Sequence, residues 1–93
     1  MTRELVQTSG FVRAARRYLK KHRQADSDLD TALQLLAMDA FDARLKTHKL
    51  SGELSDVWAC SAGYDLRILF EFEDHEGKER IVLLTVGTHD DVY

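Results

Sequence analysis

The chain has 93 residues, 44% hydrophobic and 31% charged, a size for one domain with one modest core that buries roughly 60–65% of the unfolded surface. No apolar run approaches the ~18 residues of a membrane span, the first residues lead into an amphipathic pattern rather than a signal segment, and Cys60 alone cannot form an internal disulfide. A single cytoplasmic domain over residues 1–93 is therefore expected, and its net charge of −3 conceals a strong polarity: residues 1–23 hold seven Lys or Arg and one acid (+6), the other 70 six bases and fifteen acids (−9).

Residues 3–8 suit an N-terminal strand. From Ser9, a residue type that caps helices, to about residue 23, a 3.6-residue period puts Phe11, Val12, Ala14, Ala15, Tyr18, Leu19 and His22 on one side and the basic residues on the other. A second helix is expected from Ser27, where Asp30 can serve the first-turn N–H groups, to about residue 42. Its inward stripe is Leu29, Ala32, Leu33, Leu36 and Ala40, and Leu35 and Met38 fall outside it, as plain surface or as a contact for a partner.

Residues 43–56 show no sustained period and read as the loop from helices to sheet. A strand over 57–62 leads to a turn at Gly63-Tyr64, after which Leu66, Ile68, Phe70 and Phe72 alternate with Asp65, Arg67, Leu69, Glu71 and Glu73 as a strand with one wet face. The turn Asp74-His75-Glu76-Gly77 precedes a last strand over 80–86, apolar on both faces and therefore central. The expected fold class is α+β, in the order β-α-α-β-β-β, with a helical hairpin packed on a small antiparallel sheet.

Several polar groups invite chemistry. His89 follows Gly87 at the sheet end, where an imidazole serves proton transfer or simply ends a strand in solvent. Asp65 and Arg67, about 7 Å apart on one strand face, either orient a phosphate-bearing ligand or pair in water for ~0–1 kcal/mol. Arg13, Arg16, Arg17, Lys20, Lys21 and Arg23, joined by Lys49, make either an RNA phosphate-tracking surface or a solvated face. The acidic sheet end, Glu71, Glu73, Asp74, Glu76 and Glu79, either repels RNA or receives a basic partner segment. No Cys-x-x-Cys or His-x-x-x-His spacing offers a metal site, Cys60 reads as strand filler, and His22 and His75 read as structural or incidental.

The runs His48-Lys49-Leu50-Ser51-Gly52, Trp58-Ala59-Cys60-Ser61, Asp65-Leu66-Arg67-Ile68-Leu69-Phe70 and Gly87-Thr88-His89-Asp90-Asp91-Val92-Tyr93 resemble the RelE/ParE superfamily of bacterial toxins, most closely its YafQ-like branch. The resemblance spans residues 11–93 and is most specific at the His-x-Leu-x-Gly element and the Gly-Thr-His-x-Asp-hydrophobic-aromatic ending. It implies a type II toxin of the same helical-hairpin fold: a ribosome-dependent endoribonuclease that cuts mRNA without metal or cofactor. The partners it implies are the ribosome, mRNA and a cognate antitoxin, with DNA met only through the antitoxin and no membrane.

Carried onto this sequence, the resemblance makes His48, Asp65, Arg67, His89 and Tyr93 the catalytic set. Ser61 stands where close relatives have a second histidine, Leu66 where they have a tryptophan, and Thr85 where they have an arginine. Metal-free RNA cleavage needs a base for the 2′-hydroxyl, an acid for the departing 5′-oxygen and positive charge on the phosphorane. His48 and His89 are expected to move the protons, in an order the sequence does not assign, and Arg67 to brace the phosphate. Asp65 would orient a histidine or share in proton transfer, and Tyr93 would stack on a base. Two other readings stay open: a ParE-like inhibitor of DNA gyrase, whose branch shares the fold without the histidines, and a degenerate antitoxin-binding module, to which Ser61 and Thr85 point.

Overall fold

A computed structural model of the chain describes residues 2–52, 56–63 and 65–92. Strand β1 (Glu4–Gln7) leads through helices α1 (Ser9–Lys21) and α2 (Ala25–Met38) to a short 3-10 helix (Ala43–Leu45). Strands β2 (His48–Lys49), β3 (Trp58–Ala62), β4 (Leu66–His75) and β5 (Lys78–Thr88) follow, then a single helical turn, α3 (His89–Val92). The five strands form one sheet in the order β1-β5-β4-β3-β2, with α1 and α2 on one face.

Alternation along the strands decides what each face carries. Cys60, Ala62, Leu66, Ile68, Phe70, Ile81, Leu83 and Val86 point to the helices and join Phe11, Leu29, Ala32 and Leu36 in one buried cluster. Ala59, Ser61, Arg67, Leu69, Thr85 and Gly87 pair with one another on the opposite face.

Leu83 and Val86 are three residues apart, so plain alternation would set them on opposite faces. A bulge reconciles them: Leu69 pairs with Thr85 but Phe70 with Leu83, which leaves Leu84 as the extra residue. The apolar run read as a doubly buried strand is thus a bulged one, although β5 does lie inside the sheet between β1 and β4.

The bulge also organises the start of α1. Thr8 Oγ1 donates to the Leu83 carbonyl at 2.7 Å and accepts from Phe11 N at 3.1 Å, so one hydroxyl caps the helix and serves a carbonyl at the bulge. The N-cap is therefore Thr8 and not Ser9. Helix α2 also departs from expectation. It starts behind Gln24, with no side-chain cap, and stops at Met38 rather than near residue 42, because Asp39 turns to extended backbone. Asp30 sits inside it and accepts from Gln34 Nε2 instead. Leu35, placed outside the inward stripe, packs half-buried against the core, whereas Met38 is 65% exposed.

The sheet is mixed rather than purely antiparallel. β1 runs parallel to β5, Glu4 beside Arg80 through Gln7 beside Leu83, and the two intervening helices supply the crossover that a parallel pair needs. The segment expected to be loop contains the 3-10 helix and β2, the edge strand paired with β3. Between β4 and β5, Glu76 and Gly77 both take positive φ (54° and 82°), the conformation of a tight two-residue hairpin turn.

Two outcomes follow from this packing. Replacing Thr8 by Ala removes the cap and its bond to the bulge and should cost about 1–2 kcal/mol, while Thr8→Ser should keep most of the stability, as read by urea unfolding. Burial pushes the Cys60 thiol up from about 9 to about 12, against a smaller opposing pull from the Arg67 guanidinium. The folded protein therefore holds a proton that the unfolded chain releases, a contribution to stability fully present below pH 9 and lost as pH climbs from there through about 12. The urea midpoint should accordingly fall more steeply above pH 9 in the wild type than in Cys60→Ala.

Candidate functional site

The segment between α2 and β2 is knit together by its own side chains. Asp39 Oδ1 accepts from Phe41 N at 3.1 Å, and Thr47 Oγ1 donates to the Ala40 carbonyl at 2.6 Å. Asp42 accepts from the backbone N–H of Arg44 at 2.9 Å and from both sides of its guanidinium fork at 2.9 and 2.8 Å. That fork, together with the backbone bond, holds the Asp42 carboxyl down at about 2. Leu45 anchors the segment in the core, and Lys46 then turns it in a left-handed conformation (φ 52°, ψ 39°) uncommon for a residue with a side chain.

This turn delivers His48. Its Nδ1 lies 3.0 Å from the Lys46 carbonyl, and its backbone pairs with Ala59, which sets it on the sheet face away from the helices. Arg67 reaches the same face from β4, in register between Ser61 of β3 and Gly87 of β5, with Nη1 donating to the Leu66 carbonyl at 3.1 Å. His89 arrives from the other direction, as the first residue of α3 where β5 ends.

Lys46, His48, Ser61, Arg67 and His89 together line one cavity of about 480 Å³. Two imidazoles, a guanidinium, an ammonium and a hydroxyl thus converge from four separate segments. Such a set can exchange protons at two points and neutralise an anion between them. Among the described residues no group of three His, Cys, Asp or Glu is arranged to hold a metal ion.

Asp65 and the expected RNA-contact cations are placed elsewhere. Asp65 is exposed in the turn before β4, not within the strand beside Arg67, and it does not line the cavity. Tyr93 lies outside the described residues, as does Tyr64 of the expected hairpin turn. Arg13, Arg16, Arg17, Lys20 and Lys21 are exposed along α1, with Arg23 just beyond it and Lys49 beside His48.

Arg17 and Lys21 also line a second cavity, of about 440 Å³, with Tyr18, His22, Thr85 and Val92 among its walls. At the far end of the sheet the acidic cluster is partly neutralised from within. Arg80 Nε bonds Glu73 at 2.7 Å and its Nη1 lies 3.7 Å from Glu4, and Arg3 bonds Glu79 at 2.7 Å.

Lys46 was not foreseen among the lining residues, and Ser61 was expected only as the replacement for a second histidine. Ser61 reaches the cavity through its pairing with Arg67 across β3 and β4. No signal marked Lys46: its direction depends on a left-handed turn that nothing in its residue type announces.

The family model of the YafQ toxin, the bacterial toxin of a type II toxin–antitoxin system, matches residues 3–93. No curated protein matches the chain closely enough to count as a relative. Among solved structures, YafQ from E. coli strain BL21(DE3) superposes with a TM-score of 0.79 at 15% identity, over 98% of each chain. A copper-bound mutant toxin from Helicobacter pylori gives 0.78 at 20% identity over 100% of both chains. The toxin of the E. coli DinJ–YafQ toxin–antitoxin complex gives 0.77 at 16%, over 100% of this chain and 99% of that one. At these identities the likeness is one of fold.

Proposed function

Because the chain belongs to the YafQ family of bacterial toxins of type II toxin–antitoxin systems, we propose that it is a ribosome-dependent endoribonuclease that cuts mRNA and is held in check by a cognate antitoxin. The observation that carries this reading is the convergence of His48, Arg67 and His89, with Lys46 and Ser61, on one cavity. An antitoxin as partner is supported by the E. coli neighbour, a YafQ bound to DinJ in a toxin–antitoxin complex.

In this mechanism an RNA phosphate sits between the two histidines. One imidazole takes the proton of the 2′-hydroxyl as that oxygen attacks phosphorus. The other gives a proton to the 5′-oxygen as the P–O bond breaks, leaving a 2′,3′-cyclic phosphate and a free 5′-hydroxyl. Charge gathers on the non-bridging oxygens of the phosphorane, where the Arg67 guanidinium and the Lys46 ammonium oppose it. Ser61, opposite Arg67 on the neighbouring strand, is a hydrogen-bonding group for the phosphate where relatives carry an imidazole.

Asp65 takes no proton-transfer step in this scheme, because it does not line the cavity. Tyr93, directly after Val92 in the sequence, is the proposed stacking group for a splayed base. The exposed cations of α1, with Arg23 and Lys49, supply phosphate contacts to RNA.

Purified protein added to ribosomes programmed with a defined mRNA tests the reading directly. The wild type should cleave the message, and His48→Ala and His89→Ala should each lower kcat by about 10²–10⁴-fold. Arg67→Ala should reduce kcat more than it raises KM. Cleavage undiminished in His89→Ala would remove the proposed chemistry.

A further inference from the structure

β1 is only four residues long, and its pairing with β5 ends at Gln7 beside Leu83. From Leu84 onward no described strand covers the outer edge of β5, and the C-terminal half of α1 stands beside that edge to form the second cavity, about 440 Å³ in volume. We infer that this groove is a binding site for one nucleotide of the single-stranded RNA flanking the cut, its base stacked on His22 and its phosphate held by Arg17 and Lys21. The inference rests on the ribonuclease reading for the identity of the strand, and on the groove alone for the contacts.

The chemistry of the lining selects this ligand. Tyr18 and His22 are one helical turn apart and their rings stack, with centroids 4.3 Å apart and planes 26° from parallel. Tyr18 packs against the hydrophobic core, so the platform has a fixed base, and His22 is the exposed end on which a further flat ring continues the stack. Arg17 and Lys21 have the same one-turn spacing and form a row beside the aromatic pair, so cations border the rings along α1. Stacking platforms bordered by cations are how single-stranded nucleic acids are held without regard to sequence, because every base offers a π-face and every residue a phosphate.

Position points the same way. α3 is the wall common to both cavities: His89 lines the first and Val92 the second, three residues apart and so ~4.5 Å along the helix axis. A strand with its phosphate at the histidines would pass over this turn to reach the groove beside α1. The volume suits one small ligand rather than a folded segment of a protein partner.

Fluorescence anisotropy with a short labelled oligoribonucleotide, 2′-O-methylated so that it cannot be cut, tests the groove at low salt. His22→Ala should weaken binding by about five-fold or more, and His22→Phe, which keeps a flat ring, should bind close to wild type. Arg17→Ala should weaken binding and reduce the slope of log K against log salt by about one, whereas Lys78→Ala, which removes an equal charge at the far hairpin, should leave affinity and slope near wild type.

Wild-type affinity in both His22→Ala and Arg17→Ala, or equal weakening in His22→Ala and His22→Phe, overturns the assignment. So does a poly-glutamate peptide whose binding needs His22 while that of the RNA does not, since the groove then serves a protein. The ribosome assay separates this inference from the reading beneath it. Cleavage with no His22 dependence of RNA binding removes the groove alone, and His22-dependent binding without cleavage keeps the groove and removes the nuclease.

Discussion

Burying Leu66, Ile68 and Phe70 beneath the helices forces the residue between the first two, Arg67, out through the other side of the sheet, because successive side chains of a strand point opposite ways. The same parity sets Ser61 and Gly87 beside Arg67 on the neighbouring strands, and brings His48 to that side through Ala59. A slip of one residue between β3 and β4 would drive a guanidinium into the core and lift Ile68 into water, which the hydrophobic effect opposes at once. The cavity is thus maintained by residues that do not line it.

The remaining members depend on chain that no long helix or strand supports. Lys46 and His48 sit on a segment given its shape by Asp39, Asp42 and Thr47, each closing a short-range bond to backbone, with Ala40 and Leu45 buried in the core and Phe41 packed on Trp58 and Phe72. His89 rides on one helical turn. The central pair, Arg67 and Ser61, is therefore flanked by two histidines on locally braced peripheral segments.

Alternation made β4 readable from residues 66–73, and periodicity revealed both helices and most of their buried faces, because those patterns come from burial itself. The ends of elements were less legible. Ser9 and Thr8 are equally good caps by type, and what selects Thr8 is the Leu83 carbonyl, 75 residues away in the chain. The parallel course of β1 and the bulge at Leu84 are likewise consequences of packing between distant segments, and no local signal carries them. Arg67 and His89 stood out by their chemistry and His48 through the family resemblance, and the three lie together at the cavity, whereas Asp65, in the turn one residue before the strand, does not line it. Lys46 escaped notice because a left-handed turn redirects it.

The parallel pairing of β1 with β5 fixes an order of assembly. Glu4 and Arg80 are neighbours in the sheet, yet 76 residues separate them in the chain, and a ribosome adds only ~5–20 residues each second. β1 must wait several seconds for β5 to be made, and so must α1, whose main packing partner is also β5, while β4 and β5 meet across a two-residue turn. In a nascent molecule the leading edge of the sheet is consequently the last to be seated. The helix cap at Thr8, whose hydroxyl needs the Leu83 carbonyl, closes only once β5 has been made.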